Sequence, residues 1–350
     1  MKRLILRLSS LGDVILATSA LEVGPHRWDW VVASEFSELL EGDPRIGRLF
    51  KFERKSGLPG WVKLSRQIWE SGYDEIFDLH GSLRTRVMHF LFFYWGTVQR
   101  GGKPRWKTIS KQRWRLYPYF WLKHYWPKSL RPTPWVERYS KRVGGSGLER
   151  PQLTHLLNKK RDERDWKELP EKYTCIMPSS KWDGKKWPVE HYFKVCGRLP
   201  HLPVIFGSAK DRESQALVTQ LREAGIPHLS GVGKWNLTQA AQVLAGSQGY
   251  LGGDTGLAHL AEAVGVPSRI IFGPTVPDMG FGPWREASRK IQIPLGCRPC
   301  GKDGRYCYRL KQKYLCLQAL PPERVLAQVL SDLNQSPLQA DLKVTPLSDS

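Results

Sequence analysis

Residues 250–284 constrain the fold of this chain more than any other stretch. Their sequence, YLGGDTGLAHLAEAVGVPSRIIFGPTVPDMGFGPW, reads as a buried strand, a glycine turn, a helix, a second buried strand and a second turn. Gly252 and Gly253 remove side chains where the backbone turns tightly, and either Asp254 or Thr255 can cap the helix that follows. Leu257, Leu260, Ala261 and Val264 share one face of that helix, and Ser268 to Phe272 reads as the next strand. The first helical turn, at Thr255 and Gly256, offers free N–H groups and a positive dipole end, which suits a phosphate held without a metal. Gly273-Pro274-Thr275 opens a second turn at the same sheet edge, and two such turns form a crevice.

The same alternation runs through the whole chain and implies parallel α/β sheets. Leu4 to Leu8 reads as a strand, Ser9 to Asp13 as a polar loop and Val14 to Leu21 as a helix. Asp13 therefore stands at the carboxyl end of the first strand, where open α/β sheets keep their sites, although a helix cap is an equally simple use for it. Strands follow at Trp28 to Ala33, Ile46 to Phe50 and Glu75 to Leu79, with helical patterns at Ser34 to Leu40 and Trp61 to Glu70. Gly144-Gly145-Ser146-Gly147 is the best linker, which divides the chain into residues 1–150 and 151–334, with 335–350 as a disordered tail. Tyr173 to Met177 starts a second αβ set. It leads into Ser179, Ser180 and the pair Lys185-Lys186, whose hydroxyls and charge can hold a diphosphate. Leu202 to Phe206 is the next strand, Asp211 starts a helix, and Leu237 to Ala245 is a helix feeding residues 250–284.

With 350 residues, 41% of them hydrophobic, the chain is long enough for two such domains. Its formal charge of +21 points to an anionic partner. No apolar run of about 18 residues exists, and Arg7 interrupts the first apolar stretch, so it reads as a strand rather than a signal peptide; the expected location is the cytoplasm. From Leu79 to Val136 there is no Asp or Glu, while Lys and Arg alternate with Trp95, Trp106, Trp114, Trp121, Trp126 and Trp135. Single-stranded nucleic acid and an anionic lipid surface both suit that mixture. The segment carries no RNA-module pattern, which favours the membrane and a peripheral position on it. Cys297, Cys300, Cys307 and Cys316 include one Cys-x2-Cys pair, a spacing compatible with structural zinc and equally with plain thiols.

Two segments carry a family resemblance. Leu-Ser-Ser-Leu-Gly-Asp-Val-Ile-Leu-Ala-Thr at residues 8–18, and Asp-Thr-Gly-Leu-Ala-His-Leu-Ala at 254–261 followed by Gly-Val-Pro and Phe-Gly-Pro-Thr, resemble glycosyltransferase family 9, the lipopolysaccharide heptosyltransferases. The resemblance implies a GT-B fold, two Rossmann-like domains facing across a cleft. It implies an inverting transfer of heptose from ADP-heptose to a Kdo/heptose-lipid A acceptor at the cytoplasmic face of the inner membrane, without a required metal; no Asp-x-Asp motif stands where the diphosphate would lie. Asp13 is then the catalytic base. Ser179, Ser180, Lys185 (or Lys186), Asp211 (or Glu213), Asp254, Thr255, Gly256 and His259 are the donor side, and Ser10, Gly12, Ser82 and Arg84 the acceptor side. One departure is that Thr133-Pro134-Trp135-Val136-Glu137 lacks the histidine that many relatives carry before the pair matching Arg138-Tyr139. A nucleic-acid-binding protein and a sugar-nucleotide epimerase of the same architecture are the competing classes.

Overall fold

The computed structural model describes residues 1–98, 102–160 and 168–335. The expected tail therefore falls, from residue 336 onward, outside the described residues. In the amino-terminal half the elements are β1 (Arg3–Leu6), α1 (Leu11–Ala17), β2 (Trp28–Ala33), β3 (Ile46–Phe52), α2 (Gly57–Glu70), β4 (Glu75–Asp78), α3 (Leu83–Val98), β5 (Arg105–Thr108), α4 (Arg113–Leu122) and α5 (Trp135–Arg142). The other half contains β6 (Tyr173–Met177), α6 (Val189–Cys196), β7 (Leu202–Ile205), α7 (Arg212–Glu223), β8 (Leu229–Ser230), α8 (Leu237–Ala245), β9 (Tyr250–Gly253), α9 (Gly256–Ala263), β10 (Ser268–Ile271), β11 (Arg289–Ile291), α10 (Leu315–Gln318) and α11 (Pro322–Gln335).

The strands form two separate parallel sheets, ordered β3-β2-β1-β4-β5 and β11-β10-β9-β6-β7-β8. In each, the strand that starts the fold sits centrally: β1 between β2 and β4, and β6 between β7 and β9. Their side chains are buried nearly throughout, as strands covered on both faces require. The expected elements are present, with two informative differences. The first helix starts at Leu11 rather than Val14, and the pattern at Ser34 to Leu40 is a 3₁₀ segment, Ser34–Leu39. Cys175 and Cys196 lie in the core.

The halves are not merely tethered. Val14, Leu16 and Tyr139 share one hydrophobic cluster with Ala258, Leu260 and Ala261. Glu38 caps α8 from the other half, accepting from Leu237 N–H at 3.3 Å and Thr238 N–H at 2.9 Å. Arg45 reaches the Gln152 carbonyl at 2.7 Å. Among the described residues no helix is long and apolar enough to cross a membrane.

Candidate functional site

The carboxyl edges of the two sheets meet where α1 touches α9, and glycine makes the approach possible. A Cβ on Gly12 would lie 2.9 Å from His259 Cδ2, and one on Gly256 would lie 2.7 Å from Leu11 Cγ and 2.9 Å from the Gly12 nitrogen. Gly12, expected on the acceptor side, packs directly against α9.

Asp13 sits two residues inside α1 and serves both uses that the sequence left open. Its Oδ2 reaches back to the amino end of the helix, accepting from Ser10 N–H at 3.2 Å and Ser10 Oγ–H at 2.8 Å, which holds the first turn in place. Its Oδ1 faces Arg7 Nη2 at 2.7 Å and accepts weakly from the Tyr139 hydroxyl at 3.4 Å. Burial alone would push this carboxyl up, but the Arg7 charge and the Ser10 hydrogen bonds outweigh it, so Asp13 titrates below the ordinary carboxylate range. About 20% of the side chain remains exposed, enough for a ligand to reach it. Arg7 is buried, donates from Nη1 to the Leu79 carbonyl at 2.5 Å, and lies 5.4 Å over the Tyr139 ring.

Next to Asp13 the loop after β4 is held by Asp78, whose Oδ1 accepts from His80 N–H at 3.0 Å and Gly81 N–H at 2.7 Å. His80 is pushed down to about 4 by burial and by the neighbouring Arg7 charge, so its ring is neutral at ordinary pH. Ser82 exchanges hydrogen bonds with Thr85 at the start of α3, a local capping arrangement. Arg84 is exposed, 5.6 Å over the Phe52 ring, and makes no contact with Asp13.

Across the contact, Lys185 Nζ lies 2.7 Å from Asp254 Oδ2 and donates to the Asp254 carbonyl at 3.1 Å; Thr275 donates to the same Oδ2 at 3.2 Å. Three loops therefore converge on one carboxylate, from the ends of β6, β9 and β10. They pack backbone to backbone: a side chain at Gly253 would run into the Lys185 carbonyl, and one at Gly184 would lie 2.8 Å from Pro274. Lys186 is engaged elsewhere, with Glu213 at 2.7 Å and Asp183 at 3.0 Å, so Lys185 and not Lys186 reaches the turn after β9. Thr255 occupies the cap position of α9, but its hydroxyl pairs with Tyr250 at 3.2 Å.

His259 is buried between the two halves and stacks on Trp284, with ring centroids 5.6 Å apart. Burial drives it down to about 4 despite the nearby Asp254 and Asp13 carboxylates, so it too is neutral. Its Nδ1 has no hydrogen-bond partner among the described residues. Trp284 is fixed by Glu262, which is completely buried and accepts from Trp284 N–H at 3.1 Å and Arg285 N–H at 3.0 Å. Arg298 ties down the turn after β10, donating to the carbonyls of Gly273 at 2.5 Å, Phe272 at 3.1 Å and Thr275 at 3.0 Å.

Other expected donor residues lie farther along the same edge. Ser179 is buried against Ser214 at 3.0 Å and Glu213 at 3.4 Å, Ser180 is half-buried beside it, and Asp211 caps its own turn through Ser208 N–H at 2.6 Å. Of the alternatives Asp211 and Glu213, Glu213 is therefore the one linked to Ser179.

The four cysteines lie near one another and near Arg298. Cys297, Cys300, Cys307 and Cys316 are free thiols, and no group of three or more His, Cys, Asp or Glu side chains among the described residues is arranged to hold a metal ion. Two of the sulfurs take part in local hydrogen bonding: Cys300 donates to the Cys297 carbonyl at 3.3 Å, and Cys307 accepts from Tyr314 N–H at 3.3 Å.

Arg7, Glu262 and Arg298 were not assigned to the site by sequence reasoning, while Thr275 and Tyr139 entered only as parts of the second turn and of the pair Arg138-Tyr139. Only Arg7 carried a local signal, a charge inside an otherwise apolar strand run.

A sequence model of glycosyltransferase family 9 (heptosyltransferase) matches residues 61–308. Lipopolysaccharide heptosyltransferase 1 of Pseudomonas aeruginosa is 28% identical, over 94% of this chain and 97% of its own length. Among solved structures, the family 9 glycosyl transferase of Veillonella parvula superposes with a TM-score of 0.73 at 20% identity, covering 96% of this chain and 98% of that one. The ADP-heptose lipopolysaccharide heptosyltransferase II of Escherichia coli gives a TM-score of 0.68 at 20% identity, covering 96% and 99%. The two facing parallel sheets are thus the GT-B fold, and this chain belongs to glycosyltransferase family 9 and is a glycosyltransferase.

Proposed function

We propose that the chain transfers heptose, with inversion, from ADP-heptose to the Kdo/heptose-lipid A core acceptor of lipopolysaccharide. The similar proteins carry the names of lipopolysaccharide heptosyltransferases, one of them of an ADP-heptose enzyme. In this reading residues 1–150 bind the acceptor and residues 151–334 the nucleotide sugar, and the protein works peripherally at the cytoplasmic face of the inner membrane.

One observation carries the mechanism: a single contact between α1 and α9 brings Asp13 to the same edge as Lys185, Asp254 and Thr275. The acceptor hydroxyl attacks the anomeric carbon of the donor while Asp13 takes its proton. The bond from that carbon to the diphosphate oxygen breaks, and ADP leaves with the electron pair. Asp13 is a weak base because Arg7 faces it, so proton transfer is late, after the attacking oxygen has become acidic through bonding to carbon. Its carboxylate is already ionised and fixed in place, so the base needs no reorganisation. Lys185 and the amino end of α9 meet the charge growing on the diphosphate. Asp254, with Thr275 on the same oxygen, orients Lys185 rather than meeting the donor phosphates, which would repel it. Neutral His259 and Trp284 wall the space between base and leaving group.

The test is transfer by the purified chain from ADP-heptose to a heptose-deficient core acceptor, in EDTA, followed by ADP release and by the mass gained on the acceptor. Asp13→Asn should retain ADP affinity and lose turnover by roughly 10²–10⁴-fold, the usual scale of a general base. Undiminished turnover in that variant, or no transfer by the unaltered chain, would overturn the reading.

A further inference from the structure

Helices α3 and α4 follow the neighbouring strands β4 and β5, and each turns an apolar face to solvent. On α3, Met88 and Phe92 pack into the core, whereas Leu83, Phe90, Phe93 and Tyr94 face outward, with Phe90 67% exposed. On α4, Trp114, Tyr117 and Trp121 recur at helical spacing on the outer side, and Trp121 is 86% exposed. This is far more exposed aromatic surface than single scattered residues explain. α4 is held against the other half, with Tyr119 packed on Val276 and Met279, and Arg131 paired with Asp278 at 2.8 Å.

The charge around these faces has one sign. Arg86, Arg113, Lys123 and Lys128 have no carboxylate partner among the described residues, and no Asp or Glu occurs between Leu79 and Val136. We propose that the exposed faces of α3 and α4 together seat the enzyme on an anionic phospholipid bilayer. Trp and Tyr rings on such a face suit the headgroup layer, where their apolar bodies and polar edges are both satisfied. Unpaired cations around them add attraction to anionic lipid. A second copy of the same face would meet it with like charge, which disfavours a dimer there. The inference rests on the transferase reading for its meaning: α3 begins at Leu83, directly after the loop beside Asp13, so docking at this face would bring the headgroup layer to the acceptor side.

Vesicle sedimentation with the full chain tests this. The chain should pellet with phosphatidylglycerol/phosphatidylethanolamine vesicles, not with phosphatidylcholine vesicles, and should be released by salt. Trp114→Ser/Trp121→Ser and Lys123→Glu/Lys128→Glu should each weaken vesicle binding by about tenfold or more. Both should keep unaltered turnover on a delipidated, water-soluble core acceptor, which also shows that they fold. Absence of binding by the unaltered chain, or variants that pellet as it does, would overturn the proposal. So would a dimer that the tryptophan variants dissolve, or tighter binding to single-stranded RNA than to vesicles. Failure of the unaltered chain to act on the soluble acceptor, with vesicle binding intact, would instead count against the transferase reading alone.

Discussion

Replacing Arg7 by Met keeps the length and apolar body of the side chain and removes the charge facing Asp13. At 2.7 Å the pair is worth about 6 kcal/mol of attraction at an effective dielectric of about 20, before the cost of burying both ions. Breaking a buried pair on one side typically costs about 3–5 kcal/mol. The low end, about 3 kcal/mol, applies here, because Asp13 keeps contact with solvent and its two bonds from Ser10. In the unaltered chain the folded Asp13 titrates below its unfolded value. Its contribution to stability is therefore complete above the unfolded value, at neutral pH, and is lost only as the pH falls through the folded one. Without Arg7, burial is left as the largest influence and drives the carboxyl upward. Arg7→Met should therefore melt earlier, and the acid limb of its kcat/KM profile should move to higher pH. Arg7→Met/Asp13→Asn should recover part of the lost stability, since no buried charge is then left unpaired. The assays are thermal unfolding and ADP release across pH. An Arg7→Met variant whose melting and acid limb both overlay those of the parent would refute the claim that Arg7 sets the ionisation of Asp13.

Lys185→Met should weaken ADP binding by roughly tenfold or more, the scale of one charge-assisted hydrogen bond, whereas Lys186→Met should change it little; calorimetric titration of ADP compares them. Glu262 is raised by burial from 4.5 to about 7, so the folded state is most stable below the unfolded value and loses up to about 3 kcal/mol as pH rises through 7. Glu262→Gln keeps an acceptor for Trp284 and Arg285 and should flatten that slope in urea unfolding at pH 5.5 and 8. Gly12→Val puts methyl groups against His259 and should cost about 1–3 kcal/mol of overpacking, read as a lowered melting temperature. A melting temperature equal to the parent's would show that the halves can part there freely.

Much of this architecture is legible locally because its determinants are local. Strand runs, glycine turns and helix starts fix both sheets, and the turn at Gly252–Thr255 is recognisable from its residues alone. The start of α1 was misplaced because the capping pair Ser10–Asp13 spans the supposed loop: an aspartate weighed as a loop residue or as a cap is the third residue of the first helical turn. The rest depends on distant partners. Asp13 with Tyr139, Glu38 with Leu237, and Lys185 with Asp254 join residues that no periodicity links. The cysteines belong here too: the fold brings Cys297, Cys300 and Cys316 around Arg298, a grouping their spacing alone does not fix.

The shared core beneath the site bears on recombining such enzymes. Since Val14, Leu16 and Tyr139 pack in one cluster with Ala258, Leu260 and Ala261, a chimera cut at the Gly144–Gly147 segment would pair two half-cores that were never fitted to each other. Leu11 and Gly12 of α1 would then meet a foreign α9, with whatever side chains the glycine contacts admit. Residues 80–133 take part in the joint as well, since Tyr119 packs on Val276 and Met279 and Arg131 pairs with Asp278.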